Sequence, residues 1–395
     1  MDIYNLDQVI DRHNTDATKY SDLNEKYGRD DLMPMWIADM DFAAPATVSE
    51  ALVNCFRQPV LGYTTPPRSF WTSITDWLAN RHGWIIAPEN IDYIPGLKKG
   101  LGLCINYFTK PGDSIVIQPP VYHSFRSVIE GNGRTVVDNP LVYKNGNYSM
   151  DFEGLQRVID EHHPVMMFLC NPQNPIGLQW SRETLTRVVD ICRRNNVMLL
   201  SDEIYGDLVF EGATHIPTAS LSPEAAEITI TLGAPSKSFN IPGIASAWVA
   251  ISSPKLRDGF FKWLHASEFD TPPIAAIYAT ISAYTTGEPW LDAVVRYLAD
   301  NAAFARNYIT ANLPDVNVVM PNAGFGLWID FNPTGLSHDC LNDVFVNEAR
   351  IALSDGASFG REGSCFVRLN IGTQRSVLAE GLKHLCDALK PHLHK

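Results

Sequence analysis

Short apolar runs closed by glycine, proline or asparagine alternate with stretches whose apolar positions recur every three or four residues, most plainly from residue 165 onward. VMMFLC, residues 165–170, reads as a buried strand, and the loop NPQNPIG follows it. SRETLTRVVDICRRNN then sets Leu185, Val188, Val189 and Cys192 on one helical face, with Ser181 as its N-cap, and VMLLSDEIY is the next strand. This order predicts an α/β fold with a parallel sheet. Residues 228–231 add a β-branched strand ended by Gly233 and Pro235, and ASAWVAIS adds another. Upstream, helices are expected from Pro45 to about Cys55 and over about 69–82, where Phe70, Ile74, Trp77 and Leu78 share a face. The first 31 residues read as polar and irregular, and MPMWIADMDF, residues 33–42, as a strand entering the core. Late in the chain, a long amphipathic helix over 290–311 and the strands AGFGLWID and CFVRLNIG suggest a second domain. At 395 residues, two domains are the default expectation.

The candidate chemistry gathers at predicted strand ends, where open α/β sheets place their ligands. Lys237 lies just past the 228–231 strand; in a partly desolvated pocket its amine would lose a proton easily and could form a Schiff base, whereas in a plain loop it would only be solvated. Asp202 ends the apolar run 197–200, so its carboxylate must be paired or hold a proton. Tyr205 follows three positions later. Two Asn-Pro steps hold Asn171 and Asn174 out of helical conformation, either as a routine turn or as amides projecting at fixed positions. IPGLKKGLG, residues 94–102, breaks a strand and opens a helix, so the amides of Gly96, Leu97 and Lys98 could meet an anion. Tyr122 is a core filler or a stacking platform, Tyr63 sits in the irregular loop LGYTTPP, and Arg368 points away from Val367 and Leu369 toward an ion pair or a carboxylate.

Charge and cysteine usage narrow the partners. With 44 acidic and 31 basic residues the net charge is −13, which repels phosphate backbones and argues against nucleic acid. No apolar run approaches the ~20 residues that span a bilayer, and the N-terminus MDIYNLDQVIDRHNTD does not resemble a secretory signal. Seven scattered cysteines without a CxxC pair suggest neither a disulfide framework nor a metal site, and fit the cytoplasm.

Taken in order, NPxNPxG, Asp-Glu-x-Tyr, Lys237 in SKSFN and Arg368 in FVRLN resemble the fold-type I pyridoxal-phosphate enzymes of the class I/II aminotransferase superfamily. MPMWIADMDF, the GYT loop and HIPTASL (215–221) resemble the MalY/PatB group of cystathionine β-lyases. The resemblance implies a large domain over 45–285 with a mostly parallel seven-stranded sheet, and a small α+β domain from 1–44 and 286–395. It implies pyridoxal 5′-phosphate held by Lys237, with Asp202 on the pyridine nitrogen and Tyr205 and Asn174 on the ring's phenolic oxygen. Tyr122 would stack on the ring. Ser236 and the amides of Gly96, Leu97 and Lys98 would hold the phosphate, where Ala234 and Ala245 replace a hydroxyl and an arginine common in the superfamily. Arg368, Asn174 and Ala38 would contact the amino-acid substrate, and Lys237, Tyr122 and Tyr63 would form the catalytic set. Tyr63 would reach the phosphate of a neighbouring subunit in a homodimer with shared sites. The implied reaction is α,β-elimination from cystathionine or a related cysteine S-conjugate. Transamination is the alternative, and a regulatory protein-binding role is a further one.

Overall fold

The computed structural model describes residues 4–393. Its larger sheet has seven strands: β1 (Ile91–Ile94), β2 (Ser114–Ile117), β3 (Thr135–Asp138), β4 (Met166–Cys170), β5 (Met198–Asp202), β6 (Thr229–Gly233) and β7 (Ala247–Ala250). They run in the order β1-β7-β6-β5-β4-β2-β3, and β7 alone is antiparallel to its neighbours. Both faces are covered, which explains why these strands read as unbroken apolar runs. Ile115, Ile117, Met166, Phe168 and Leu200 pack on one side with helices Leu97–Phe108, Ser124–Gly131 and Pro254–Ala266. Val116, Met167, Leu169 and Leu199 pack on the other with helices Phe152–His162 and Arg182–Arg194. Ser181 caps the latter helix, its Oγ accepting the Thr184 N–H at 3.1 Å.

A four-stranded antiparallel sheet follows: β8 (Asn317–Val319), β9 (Gly326–Asp330), β10 (Ser354–Asp355) and β11 (Phe366–Asn370), in the order β8-β9-β11-β10. Helices Glu288–Asn312 and Arg375–Leu393 back it through Leu298, Ala302, Ala305, Leu378, Leu382 and Leu385. That apolar cluster continues without a break into Phe70, Ile74 and Trp77 of helix Arg68–His82, so the two sheets share a core.

The N-terminal part departs from expectation. Two short helices, Thr18–Ser21 and Leu23–Tyr27, form where the polar sequence suggests none. Only Met33–Pro34 of the 33–42 segment is a strand, pairing in parallel with Ile351–Ala352. Beyond it the backbone leaves any sheet, and side chains from distant parts of the chain take up its carbonyls.

Candidate active site

The parallel register fixes the floor of the site. Cys170 is level with Asp202, and Asp202 with Leu232, so the loop after β4, the end of β5 and the turn after β6 open at one edge. Asp202 is 3% exposed. Its Oδ1 accepts the Ile204 N–H at 3.1 Å, and Oδ2 has no hydrogen-bond partner among the described residues. Burial pushes this carboxyl up to about 7, with the Ile204 N–H pulling the other way. Lys237 stands in the single turn Pro235–Ser238, and its Nζ donates to the Ala38 carbonyl. Desolvation lowers the ammonium to about 8, against the pull of nearby Asp39.

A buried polar layer supports both residues from behind. Ser238 Oγ, next to Lys237, donates to Asp207 Oδ2 at 2.6 Å; Trp77 Nε1 and His82 Nε2 reach Asp207 Oδ1 at 2.9 and 2.7 Å. Glu203, next to Asp202, accepts from Ser201 Oγ (2.7 Å) and the Thr218 N–H (2.9 Å), and its other oxygen lies 3.0 Å from His215 Nε2. The two imidazoles meet edge to face at 5.0 Å. Sequence reasoning missed Asp207 and His82. The Asp in DEIYGD is visible, but its histidine lies 125 positions away.

Arg368 forms a wall. The residue is 7% exposed, and its guanidinium donates to Asn174 Oδ1 (2.9 Å), the Trp36 carbonyl (3.0 Å) and Ser354 Oγ (3.1 Å) and lies 5.0 Å from the Phe359 ring centre. Gly326 on β9 makes room for it, since a Cβ there would come within 2.8 Å of Arg368 Cδ. No carboxylate of the described residues pairs with this buried cation. Desolvation accordingly lowers its pKa. Asn174 gives Arg368 its carbonyl oxygen, and among the described residues neither its amide Nδ2 nor the Tyr205 hydroxyl has a hydrogen-bond partner.

A cleft of about 400 Å³ joins these groups. Ala38, Gly96, Leu97, Lys98, Tyr122, Asn174, Asp202, Tyr205, Ser236 and Lys237 border it, as does Ala245. Arg368 borders the two adjoining cavities, and Ala38 borders all three. The Gly96 N–H is a correction to the expected anion cup: it donates to the Ile94 carbonyl at 2.8 Å in a tight turn with φ +109°. The first-turn amides of Leu97, Lys98 and Lys99 lack intrahelical partners. Tyr63 lies apart, fully exposed and bordering none of these cavities.

The rim is the segment 36–41, and it is wired carbonyl by carbonyl. Ser354 Oγ and Arg368 take Trp36 O (2.6 and 3.0 Å), and Asn370 Nδ2 takes both Ile37 O (2.7 Å) and Asp39 O (2.6 Å). Lys237 takes Ala38 O, Asn240 takes Met40 O (2.9 Å), and Gln374 takes Asp41 O (2.9 Å). Arg12 holds Asp39 (2.6 Å) and Asp41 (3.1 Å), and Lys19 holds Asp41 (2.6 Å).

Comparison with known proteins agrees with this geometry. The family described as Aminotransferase class I and II matches residues 39–389. Cystathionine beta-lyase PatB of Bacillus subtilis (strain 168) is 37% identical over 385 residues, covering 98% of this chain and all of that protein. The structure of a PLP-bound putative aminotransferase from Clostridium difficile 630 superposes with a TM-score of 0.95 at 39% identity, covering 98% of this chain and 100% of that one. The PLP-bound C-S lyase from Staphylococcus hominis superposes at 0.91 and 28% identity, covering 98% of both chains. Match length, identity and superposition lead to one conclusion: the chain belongs to the class I and II aminotransferase family.

Proposed function

We propose that this protein is a pyridoxal-phosphate-dependent carbon–sulfur β-lyase that eliminates a thiol from cystathionine or a related cysteine S-conjugate. One observation carries the reading: a buried arginine that no carboxylate of the described residues pairs with faces the same cleft system as a lysine and a buried aspartate whose second oxygen has no hydrogen-bond partner among them. These residues fit the cofactor. Asp202 Oδ2 would hold its ring nitrogen, Tyr205 and the Asn174 amide its phenolic oxygen, Tyr122 its ring face, and Ser236 with the Leu97 and Lys98 amides its phosphate. Covalently bound at Lys237, pyridoxal phosphate would supply an electron sink for the carbanion at the substrate's Cα.

The chain's own groups do the rest. Arg368 grips the α-carboxylate in place of water, a charged hydrogen-bond arrangement worth roughly 1.5 to 3 kcal/mol per bond. Lys237 Nζ takes the Cα proton once the substrate amine has displaced it, and an amine poised near 8 is suited to that transfer. Loss of the Cβ–S bond leaves a thiolate, which Lys237 or the Tyr122 hydroxyl protonates. The released enamine hydrolyses to pyruvate and ammonia.

We assign the large, cofactor-holding domain to residues 45–285 and the small one to 1–44 with 286–395. Val53, Phe56, Val60 and Leu61 are exposed beside Tyr63, an apolar surface suited to a second copy of the chain. In such a homodimer Tyr63 would reach the partner's phosphate site. No helix among the described residues is long and apolar enough to cross a membrane, and the free cysteines suit a cytoplasmic setting. The deciding experiment supplies cystathionine without any keto acid and measures pyruvate and homocysteine over many turnovers. Sustained release of both is expected. A single half-reaction that restarts only on adding a keto acid would establish a transaminase instead.

A further inference from the structure

The cleft widens beyond Arg368 and Lys237 into an outer chamber of about 820 Å³, larger than a cysteine side chain requires. Its wall includes the short helix Leu23–Tyr27 and the residue that precedes it, which contribute two opposite charges one turn apart, Lys26 and Asp22. The Lys26 N–H donates to the Asp22 carbonyl at 3.0 Å, so both side chains leave the same face. They do not pair with each other, and Lys26 pairs with no other carboxylate of the described residues. Instead the Lys26 ammonium sits 4.4 Å from the Trp36 ring centre. Trp36 connects this charge to the inner site, because its carbonyl is the one that Arg368 holds at 3.0 Å. His123 and Tyr122 line the same chamber.

We propose that Lys26 and Asp22 form a second, outer subsite for an α-amino-acid head group, with Lys26 taking its carboxylate and Asp22 its ammonium. The inference rests on the β-lyase reading above and names the leaving group: a thiol that itself carries an amino-acid head, as the homocysteine half of cystathionine does. An amino-acid head carries its two charged groups on one carbon, which suits two opposite side chains one helical turn apart. In the bland alternative the two residues are an ordinary solvated i,i+4 pair that happens to border a cavity, contributing only a few tenths of a kcal/mol to the helix. That alternative leaves substrate choice untouched.

The test compares three substrates on the holoenzyme: cystathionine, S-(3-carboxypropyl)cysteine, which lacks only the outer ammonium, and S-propylcysteine, which lacks the whole head. The parent should favour cystathionine over S-propylcysteine by at least tenfold in kcat/KM. Lys26→Met should lower kcat/KM for cystathionine and S-(3-carboxypropyl)cysteine about tenfold, the effect of one partly exposed charged hydrogen bond, and leave S-propylcysteine within twofold. Asp22→Asn should reduce turnover of cystathionine alone. Equal handling of all three substrates by parent and variants overturns the subsite while leaving the lyase reading intact. Absence of pyruvate from every substrate sinks the lyase reading. The subsite is then decided by dissociation constants for the three compounds from calorimetry, where the same order of preference supports it and equal constants overturn it.

Discussion

The floor and the rim of the cleft hold their residues by different physics. Asp202 and Lys237 rest on a sheet whose register levels three strand ends, and behind them Glu203, Asp207, His82 and His215 are buried in a satisfied polar layer. The rim segment 36–41 has no ladder. It borrows donors from Lys237, Asn240, Ser354, Arg368, Asn370 and Gln374, and its ion pair with Arg12 is partly open to water, at 22% and 15% side-chain exposure for Arg12 and Asp39. A floor built this way keeps perturbed groups in place regardless of the solvent, whereas a rim built on borrowed donors responds to the state of the groups that lend them. Lys237 belongs to both, since its amine donates to Ala38 in the rim. Covalent capture of that amine would release the Ala38 carbonyl and so couple loading of the floor to the position of the rim.

The largest effect should come from the floor. Lys237→Ala removes both the attachment point and the base, and should lower turnover by ~10³ or more, a positioned proton-transfer group alone being worth roughly 10² to 10⁴. Borohydride should then fix no cofactor to the chain. Cofactor trapped at another lysine would overturn the assignment.

Asp202 comes next and separates function from stability. Burial pushes its carboxyl up to about 7, above the ordinary aspartate value of about 4, so between these pH values the folded apoprotein holds a proton that the unfolded chain has lost. Stability of the apoprotein should therefore fall as pH rises from about 4 to about 7, by up to roughly 4 kcal/mol from this group. Asp202→Asn should abolish activity yet make the apoprotein more stable than the parent at pH 8, with no gain at pH 4, as read by urea unfolding at both values. A variant less stable at pH 8 would mean that the carboxylate already has a favourable partner in the protein.

Arg368 sits where floor and rim meet. Arg368→Ala should cost at least ~2 kcal/mol in kcat/KM, about thirtyfold, mainly through KM. Arg368→Lys should recover little of it, because an ammonium cannot reproduce the fork that spans Asn174, Trp36 and Ser354. An unchanged kcat/KM in the alanine variant removes Arg368 from the substrate.

The same contrast explains what the sequence disclosed. Strands β4, β5 and β6 announce themselves because burial on both faces demands continuous apolar residues, and Pro172 follows β4 as Gly233 and Pro235 close β6, so Asp202, Asn174 and Lys237 could be placed at one edge from local pattern alone. Arg368 showed itself as a charge inside a buried strand. The rim did not, because nothing local distinguishes a strand from a backbone held by Asn370 and Arg368 more than 300 positions away. The polar layer was hidden for the same reason, its histidine and carboxylate being 125 positions apart. The Gly96 amide was misread because a glycine at φ +109° folds its N–H back on Ile94, a detail of turn geometry that composition does not encode.

The smallest effect tests the rim itself. Arg12 reaches Asp39 at 2.6 Å and Asp41 at 3.1 Å without touching the cleft, so Arg12→Gln alters the rim and leaves every site residue in place. Because the pair is partly exposed, water and salt screen it, and its loss should cost no more than about 1 kcal/mol. Asp41 keeps Lys19, which is almost fully buried, so the segment should loosen and not detach. The expected result is a KM raised two- to fivefold with kcat within twofold, since a looser rim weakens the grip on bound substrate while Lys237 and Asp202 keep their geometry. Parent and variant should converge near 1 M salt, where the screening length falls to about 3 Å. A kcat reduced tenfold at unchanged KM would instead place the rim in the chemical step, through the Ala38 contact to Lys237, and the division between floor and rim would have to be redrawn.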